Sequence, residues 1–159
     1  MIKLVTLERP IPKDVINVKM VSAVDILVEN YRTGALDKIG LGYDDLKLIN
    51  PKLIYCSLTG YGHEGPRAEV NAYDNVIQAT SGIIEQSGGH KPGVSFVDYA
   101  AGYNAAFAIS SALFQRTLTG KGTYISSSML EVAMSLMAPE AAAATTNARI
   151  RSDCPTPIH

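Results

Sequence analysis

Leu53-Ile54-Tyr55-Cys56-Ser57-Leu58-Thr59, followed by Gly60-Tyr61-Gly62-His63-Glu64-Gly65-Pro66, decides the fold. The first run is short and mostly apolar, is bounded upstream by Asn50-Pro51, and reads as a buried strand. The second, with three glycines and a proline, is a loop. Upstream, Ala23-Val24-Asp25-Ile26-Leu27-Val28-Glu29 has the same strand character. Downstream, Thr123-Tyr124-Ile125-Ser126-Ser127 gives a third strand. Helical stretches fall between and after them: residues 34–39, 43–49, 73–84, 99–118 and 129–144. The stretch 99–118 is long and apolar nearly all round, so it expects burial on every side. Pro139 predicts a kink in the last helix or a boundary within it. Strands alternating with helices mean an α/β layer fold. Three strands are few for an open sheet. Residues 1–22 carry a weak pattern interrupted by Pro10 and Pro12, and residues 145–159, with Pro155 and Pro157, read as an unstructured tail.

The chain has 159 residues, 47% apolar and 18% charged, with a net charge of −1. That composition buries enough surface for a globular domain and argues against disorder. It carries no electrostatic footprint for nucleic acid or an anionic membrane. No apolar run reaches the length of a bilayer span. The first ten residues are too short and too charged for a signal peptide. Cys56 and Cys154 lie far apart and read as free thiols in a reducing compartment, so the cytoplasm is the expected location.

Gly60-Tyr61-Gly62-His63-Glu64-Gly65 fits G-x-G-x-x-G after a strand. A dinucleotide fingerprint enters an apolar helix at its third glycine. Pro66-Arg67-Ala68-Glu69 follows here instead, so a chain-reversing glycine loop is the better reading. Gly120-Lys121-Gly122 lacks the upstream glycine and the Ser or Thr of a P-loop. His63, His90 and His159 have no metal-ligand spacing with one another or with either cysteine, and no metal site is expected.

Asp98 stands apart. It is the only charged residue between Gly93 and Gln115, in Val94-Ser95-Phe96-Val97-Asp98-Tyr99-Ala100-Ala101-Gly102. Isolated carboxylates in apolar walls need a reason. The plain reason is an N-cap on the following helix. A reactive one is compatible with it: a helix N-terminus favours the ionised form, and a carboxylate can attack an acyl group.

Several stretches occur in a set order. They are Asp25-Ile26-Leu27-Val28-Glu29-Asn30-Tyr31-Arg32-Thr33-Gly34, Gly40-Leu41-Gly42-Tyr43, Asn50-Pro51-Lys52-Leu53-Ile54-Tyr55-Cys56-Ser57, and Thr59-Gly60-Tyr61-Gly62 with Gly65-Pro66. Ala72-Tyr73-Asp74, Val97-Asp98 with Gly102, Arg116-Thr117 with Thr119-Gly120-Lys121-Gly122, and Ser128-Met129-Leu130-Glu131 complete the set. The set, over residues 23–138, resembles the family III CoA-transferases of the CaiB/BaiF and formyl-CoA transferase type, and their relatives the α-methylacyl-CoA racemases.

The resemblance implies a partial Rossmann-like parallel sheet with packed helices over residues 23–144, with 1–22 unmatched. It implies a truncated member, without the family's N-terminal βαβ portion and C-terminal half. It implies CoA transfer from an acyl-CoA to a carboxylic acid, with Asp98 as the acylated nucleophile. Coenzyme A enters as substrate, with no permanently bound cofactor. Asn30, Tyr31 and Arg32 would line the CoA site, with Asn71, Tyr73 and Met129. Arg32 or Lys38 would meet its phosphates, although the plain reading of Arg32 is a solvated loop charge. Racemases carry His where Tyr73 stands. Proton exchange at carbon needs a group poised near neutral pH, which a phenol of ordinary pKa about 10 is not. The transferase branch therefore fits better. A non-catalytic fragment, or one part of a split enzyme, is the other reading. The family's habit of dimerising implies a homodimer.

Overall fold

The structure, a computed structural model, describes residues 2–7 and 18–145. The breaks expected at Pro10 and Pro12, and the tail with Cys154 and His159, lie outside the described residues. The elements are β1 (Leu4–Leu7), α1 (Val18–Ala23), β2 (Ile26–Glu29), a 3-10 turn (Asp37–Ile39), α2 (Tyr43–Ile49) and β3 (Ile54–Thr59). After them come α3 (Asp74–Ser81), α4 (Ile83–Gln86), α5 (Phe96–Thr119), β4 (Thr123–Ser128), α6 (Met129–Leu136) and α7 (Ala138–Thr145).

The sheet is parallel, in the order β1-β2-β3-β4. It has one strand more than the sequence pattern predicts. The extra strand, β1, pairs with β2 from Leu4↔Ile26 to Leu7↔Glu29. Four residues at a sheet edge are too few to show a period, and prolines follow at once. β3 lies inside the sheet, and all but one of its residues are buried. An inner parallel strand is covered on both faces, which is why its sequence is nearly continuously apolar. Side chains alternate between those faces. Leu27 and Tyr55 pack with Val21, Leu46 and Leu53 from the side of α1 and α2. Ile26 and Ile54 pack on Ala112 of α5, with Ile109 and Leu113 beside it. A third cluster, Ile77, Val97, Ala133 and Met137, joins α3, α5 and α6. Full burial of a side chain such as Leu27 or Ile54 contributes about 2 kcal/mol.

β2 begins later than expected because Ala23 ends α1. Asn50 fixes that end: its side-chain amide donates to Val21 O at 3.0 Å and Val24 O at 2.8 Å, satisfying carbonyls that a helix end leaves free. The helix expected over 73–84 is two helices, split at Gly82, whose φ of 91° lies in the left-handed region. The stretch 34–39 holds only the 3-10 turn. The last helix divides at Met137, and Pro139 falls in the first turn of α7, where a missing N–H removes no helix bond. On α5, Val97, Ala101, Ala105 and Ala112 are buried. The opposite face is open: Tyr99, Tyr103, Phe107, Phe114 and Leu118 are 64–76% exposed. Among the described residues no helix is long and apolar enough to cross a membrane.

Candidate active site

Because β2, β3 and β4 are parallel, their carboxyl ends share one edge of the sheet, where ligands of open α/β sheets sit. A cleft of about 650 Å³ opens there. The segment after β2 contributes Asn30, Tyr31, Arg32 and Thr33, and the end of β3 contributes Leu58, Thr59 and Gly60. Asn71, Ala72 and Tyr73 come from the loop before α3, Asp98, Ala101 and Gly102 from α5, and Met129 from the start of α6. Asp98, Asn30, Tyr31, Arg32, Asn71, Tyr73 and Met129 therefore meet around one space. Lys38, exposed on the 3-10 turn, does not line it.

Local chemistry builds this edge. A Cβ on Gly60 would stand 2.1 Å from Ala72 Cβ, so glycine lets the 71–73 loop cross the end of β3. The carbonyl of Gly60 accepts from Leu130 N at 3.0 Å, tying α6 to the same place. Ser128 caps α6: its hydroxyl accepts from Glu131 N at 3.2 Å and donates to Glu131 Oε2 at 2.8 Å. This N-cap sets Met129 at the rim, and its S-x-x-E spacing is legible in the sequence. Thr33 Oγ1 donates to Gly62 O at 3.2 Å, joining the loops after β2 and β3. Past Gly65 the chain turns and reaches no helix before Asp74, so no helix N-terminus cradles a pyrophosphate at these glycines.

Asp98 is not the N-cap of α5. Ser95 holds that position without a side-chain cap bond, and Asp98 is the third helical residue. The cap comes from elsewhere in the chain. Asp74 Oδ2 accepts from Val97 N at 2.9 Å and from Asp98 N at 3.3 Å, while its other oxygen accepts from Gln78 Nε2. Asp74 is buried at 5% exposure. Asp98 is exposed at the mouth of the cleft rather than sunk in an apolar wall. Partial desolvation and, after it, the Asp74 charge push the Asp98 carboxyl up from its ordinary value. Tyr73 is 68% exposed and Arg32 is also exposed.

A second cleft, of about 370 Å³, holds Glu29, Asp37, Tyr43, Tyr55, His63 and Tyr124, and Arg32 lines both clefts. Glu29 is buried, with Oε2 accepting from Tyr31 N at 2.7 Å. His63 Nε2 and Ser57 Oγ are 2.8 Å apart. Burial pushes the Tyr124 phenol up to about 12 and the free Cys56 thiol up to about 11, which leaves that thiol inert near neutral pH. Among the described residues no three His, Cys, Asp or Glu side chains gather as a metal ligand set.

A family model described as CoA-transferase family III matches residues 10–156. The chain belongs to CoA-transferase family III. The match begins well before residue 23, where the motif resemblance starts. This family III chain is 42% identical over 125 residues to a succinyl-CoA:glutarate CoA-transferase of Mus musculus, covering 75% of the chain and 29% of that protein. It is 41% identical over 119 residues to an acetyl-CoA:oxalate CoA-transferase of Acetobacter aceti, covering 71% and 31%. A crystal structure of a CaiB/BaiF family protein from Brucella suis superposes with a TM-score of 0.78 at 40% identity, over 84% of this chain and 37% of that one. The chain spans less than a third of the length of these two curated relatives.

Proposed function

We propose that this chain carries the reacting carboxylate and part of the CoA site of an enzyme that moves CoA from an acyl-CoA to a carboxylic acid. The gathering of Asp98, Asn30, Tyr31, Arg32, Asn71, Tyr73 and Met129 around one cleft supports the reading. An Asp98 oxygen attacks the donor thioester carbonyl, the carbon–sulfur bond breaks, and CoA leaves as thiolate. The thiolate attacks the Asp98 carbonyl of the resulting anhydride, releasing the donor acid and leaving an aspartyl thioester. An acceptor carboxylate attacks that thioester and forms a second anhydride. The expelled thiolate takes the acceptor acyl group and restores Asp98. Arg32 neutralises CoA phosphate, with exposed Lys38 as a further cation nearby in sequence. Tyr31 supplies an aromatic wall for the nucleotide. The enzyme works as a homodimer, and its buried, free Cys56 suits a reducing compartment such as the cytoplasm.

Asp98 is exposed, which favours a second reading: one part of a split enzyme, or a fragment without turnover. Mass spectrometry after incubation with a panel of acyl-CoAs and hydroxylamine separates the readings. A modified peptide containing Asp98 is expected, absent in Asp98→Ala. Modification elsewhere would remove Asp98 from the reaction, and no modification at all would favour the fragment. Deuterium entering the α-carbon of a 2-methylacyl-CoA in heavy water would move the chain to the racemase branch, against the placement of Tyr73.

A further inference from the structure

We propose that Asp74 is a positioning residue for Asp98: it holds the first turn of α5 in place by taking the Val97 and Asp98 N–H groups on one oxygen. The proposal rests on Asp98 as the reacting carboxylate; the contact between Asp74 and α5 stands without it.

The first N–H groups of a helix have no partner within the helix. An acidic side chain at the third helical position can fold back onto free amides of its own turn, and a carboxylate fed by amides is stabilised and less reactive. Asp74 occupies the Val97 and Asp98 amides, so they are closed to the Asp98 carboxylate. Asp74 is itself locked. Gln78, one turn further along α3, is fully buried and donates through Nε2 to Asp74 and, at 3.3 Å, to Val94 O. Ile77 and Val97, both without solvent exposure, pack in the same cluster beside it. The chain entering α5 is thus pinned to α3 on either side of Ser95, and Asp98 projects into the cleft from a fixed turn. Tyr73, Tyr31 and Arg32 line the cleft with Asp98, and Asp74 of α3 meets its backbone N–H. The Asp74 charge adds to desolvation in raising the Asp98 carboxyl, and a more basic carboxylate is a better nucleophile.

Gln78 also supplies a workable variant. Its Oε1 is buried with no hydrogen-bond partner among the described residues. In Asp74→Asn the new amide oxygen keeps the α5 N–H groups. The new NH₂ donates to that idle Oε1 once the Gln78 amide turns over, giving up the longer bond to Val94 O. The full-length chain in wild-type, Asp74→Asn and Asp74→Glu forms is titrated by carbon-13 NMR of the Asp98 carboxyl, with circular dichroism to confirm folding. The same proteins are assayed for single-turnover Asp98 adduct formation. Asp74→Asn keeps the bonds to Val97 N and Asp98 N and removes only the charge, so the Asp98 midpoint falls while the maximal adduct rate stays within about threefold of wild type. Asp74→Glu keeps the charge but lengthens the side chain and displaces the turn, so there the maximal adduct rate drops about tenfold or more while the half-saturating acyl-CoA concentration holds. A folded Asp74→Glu with the wild-type maximal rate, or a folded Asp74→Asn as slow as Asp74→Glu, overturns the proposal. A wild-type chain that forms no adduct counts against Asp98 as nucleophile, and the titration still decides on Asp74.

Discussion

At the scale of single residues, Asp98 was legible because charge is absent around it, whereas Asp74 was not. A cap that reaches across more than twenty residues leaves no local spacing to read, and Asp74 stands in the sequence as an ordinary helix-start acid. Glu29 is another residue whose role comes only with tertiary structure: it ends β2, is buried, and its carboxylate receives Tyr31 N. Desolvation pushes the Glu29 carboxyl up, with hydrogen bonds from Ser57 and Tyr31 opposing. A raised carboxyl binds its proton more tightly in the folded state. Its contribution to stability is therefore complete below the ordinary glutamate value and is lost as pH rises through the folded one. Glu29→Gln is neutral throughout and should not show that loss. Urea midpoints of both proteins, measured from acid to neutral pH, should show the variant gaining on wild type as pH rises. A stability difference that stays constant with pH would remove Glu29 as the source.

At the scale of elements, β3, β4, α2 and α5 formed close to where periodicity and breakers put them, because each carries its own buried face and its own stop signal. The expectation fails where one residue's backbone overrides a continuous pattern, as Gly82 does in dividing 73–84; the division of 129–144 at Met137 falls where Pro139 signalled a boundary. β1 has no signal apart from its pairing with β2. The site followed the same rule. Residues from the segment after β2, the loop before α3, α5 and the start of α6 line one cleft, while Lys38, exposed on the 3-10 turn, does not line it. Arg116 shows how a helix end is registered on the sheet. Its guanidinium donates to Lys52 O at 3.0 Å and Asp25 O at 3.3 Å and pairs with the Asp25 carboxylate at 2.9 Å. These groups precede β3 and β2, so one side chain ties the end of α5 to the amino-terminal edge of the sheet. Arg116→Ala should cost about 1–3 kcal/mol, since hydrogen bonds to a charged donor are lost together. Arg116→Lys should recover little, because an ammonium cannot fork to three acceptors. Urea unfolding of the three proteins checks both; full recovery by lysine would mean that charge alone holds the contact.

At the scale of the whole molecule, one face of α5 stands open among the described residues. Tyr99, Tyr103, Phe107, Phe114 and Leu118 recur at spacings of four and seven, which gathers them on one side of the helix. Each is 64–76% exposed, while Ala101, Ala105 and Ala112 on the other side are buried. Twenty-four residues make this stripe part of a helix of about 36 Å. An apolar stripe of that length marks an association surface or an aggregation liability. If a second copy of the chain covers it, a two-fold pairing sets the same stripe against itself. Light scattering over a dilution series should show a dimer at high concentration that dissociates on dilution. Phe107→Lys lies on the exposed face and removes no buried contact, so it should leave the thermal midpoint nearly unchanged. It should weaken association about tenfold or more, because a charge then lies at the centre of the contact. Gln115→Lys, on the same helix but outside the aromatic stripe, should associate like wild type. A monomer at every concentration, or association that ignores Phe107→Lys, would mean that α5 is not where the copies meet.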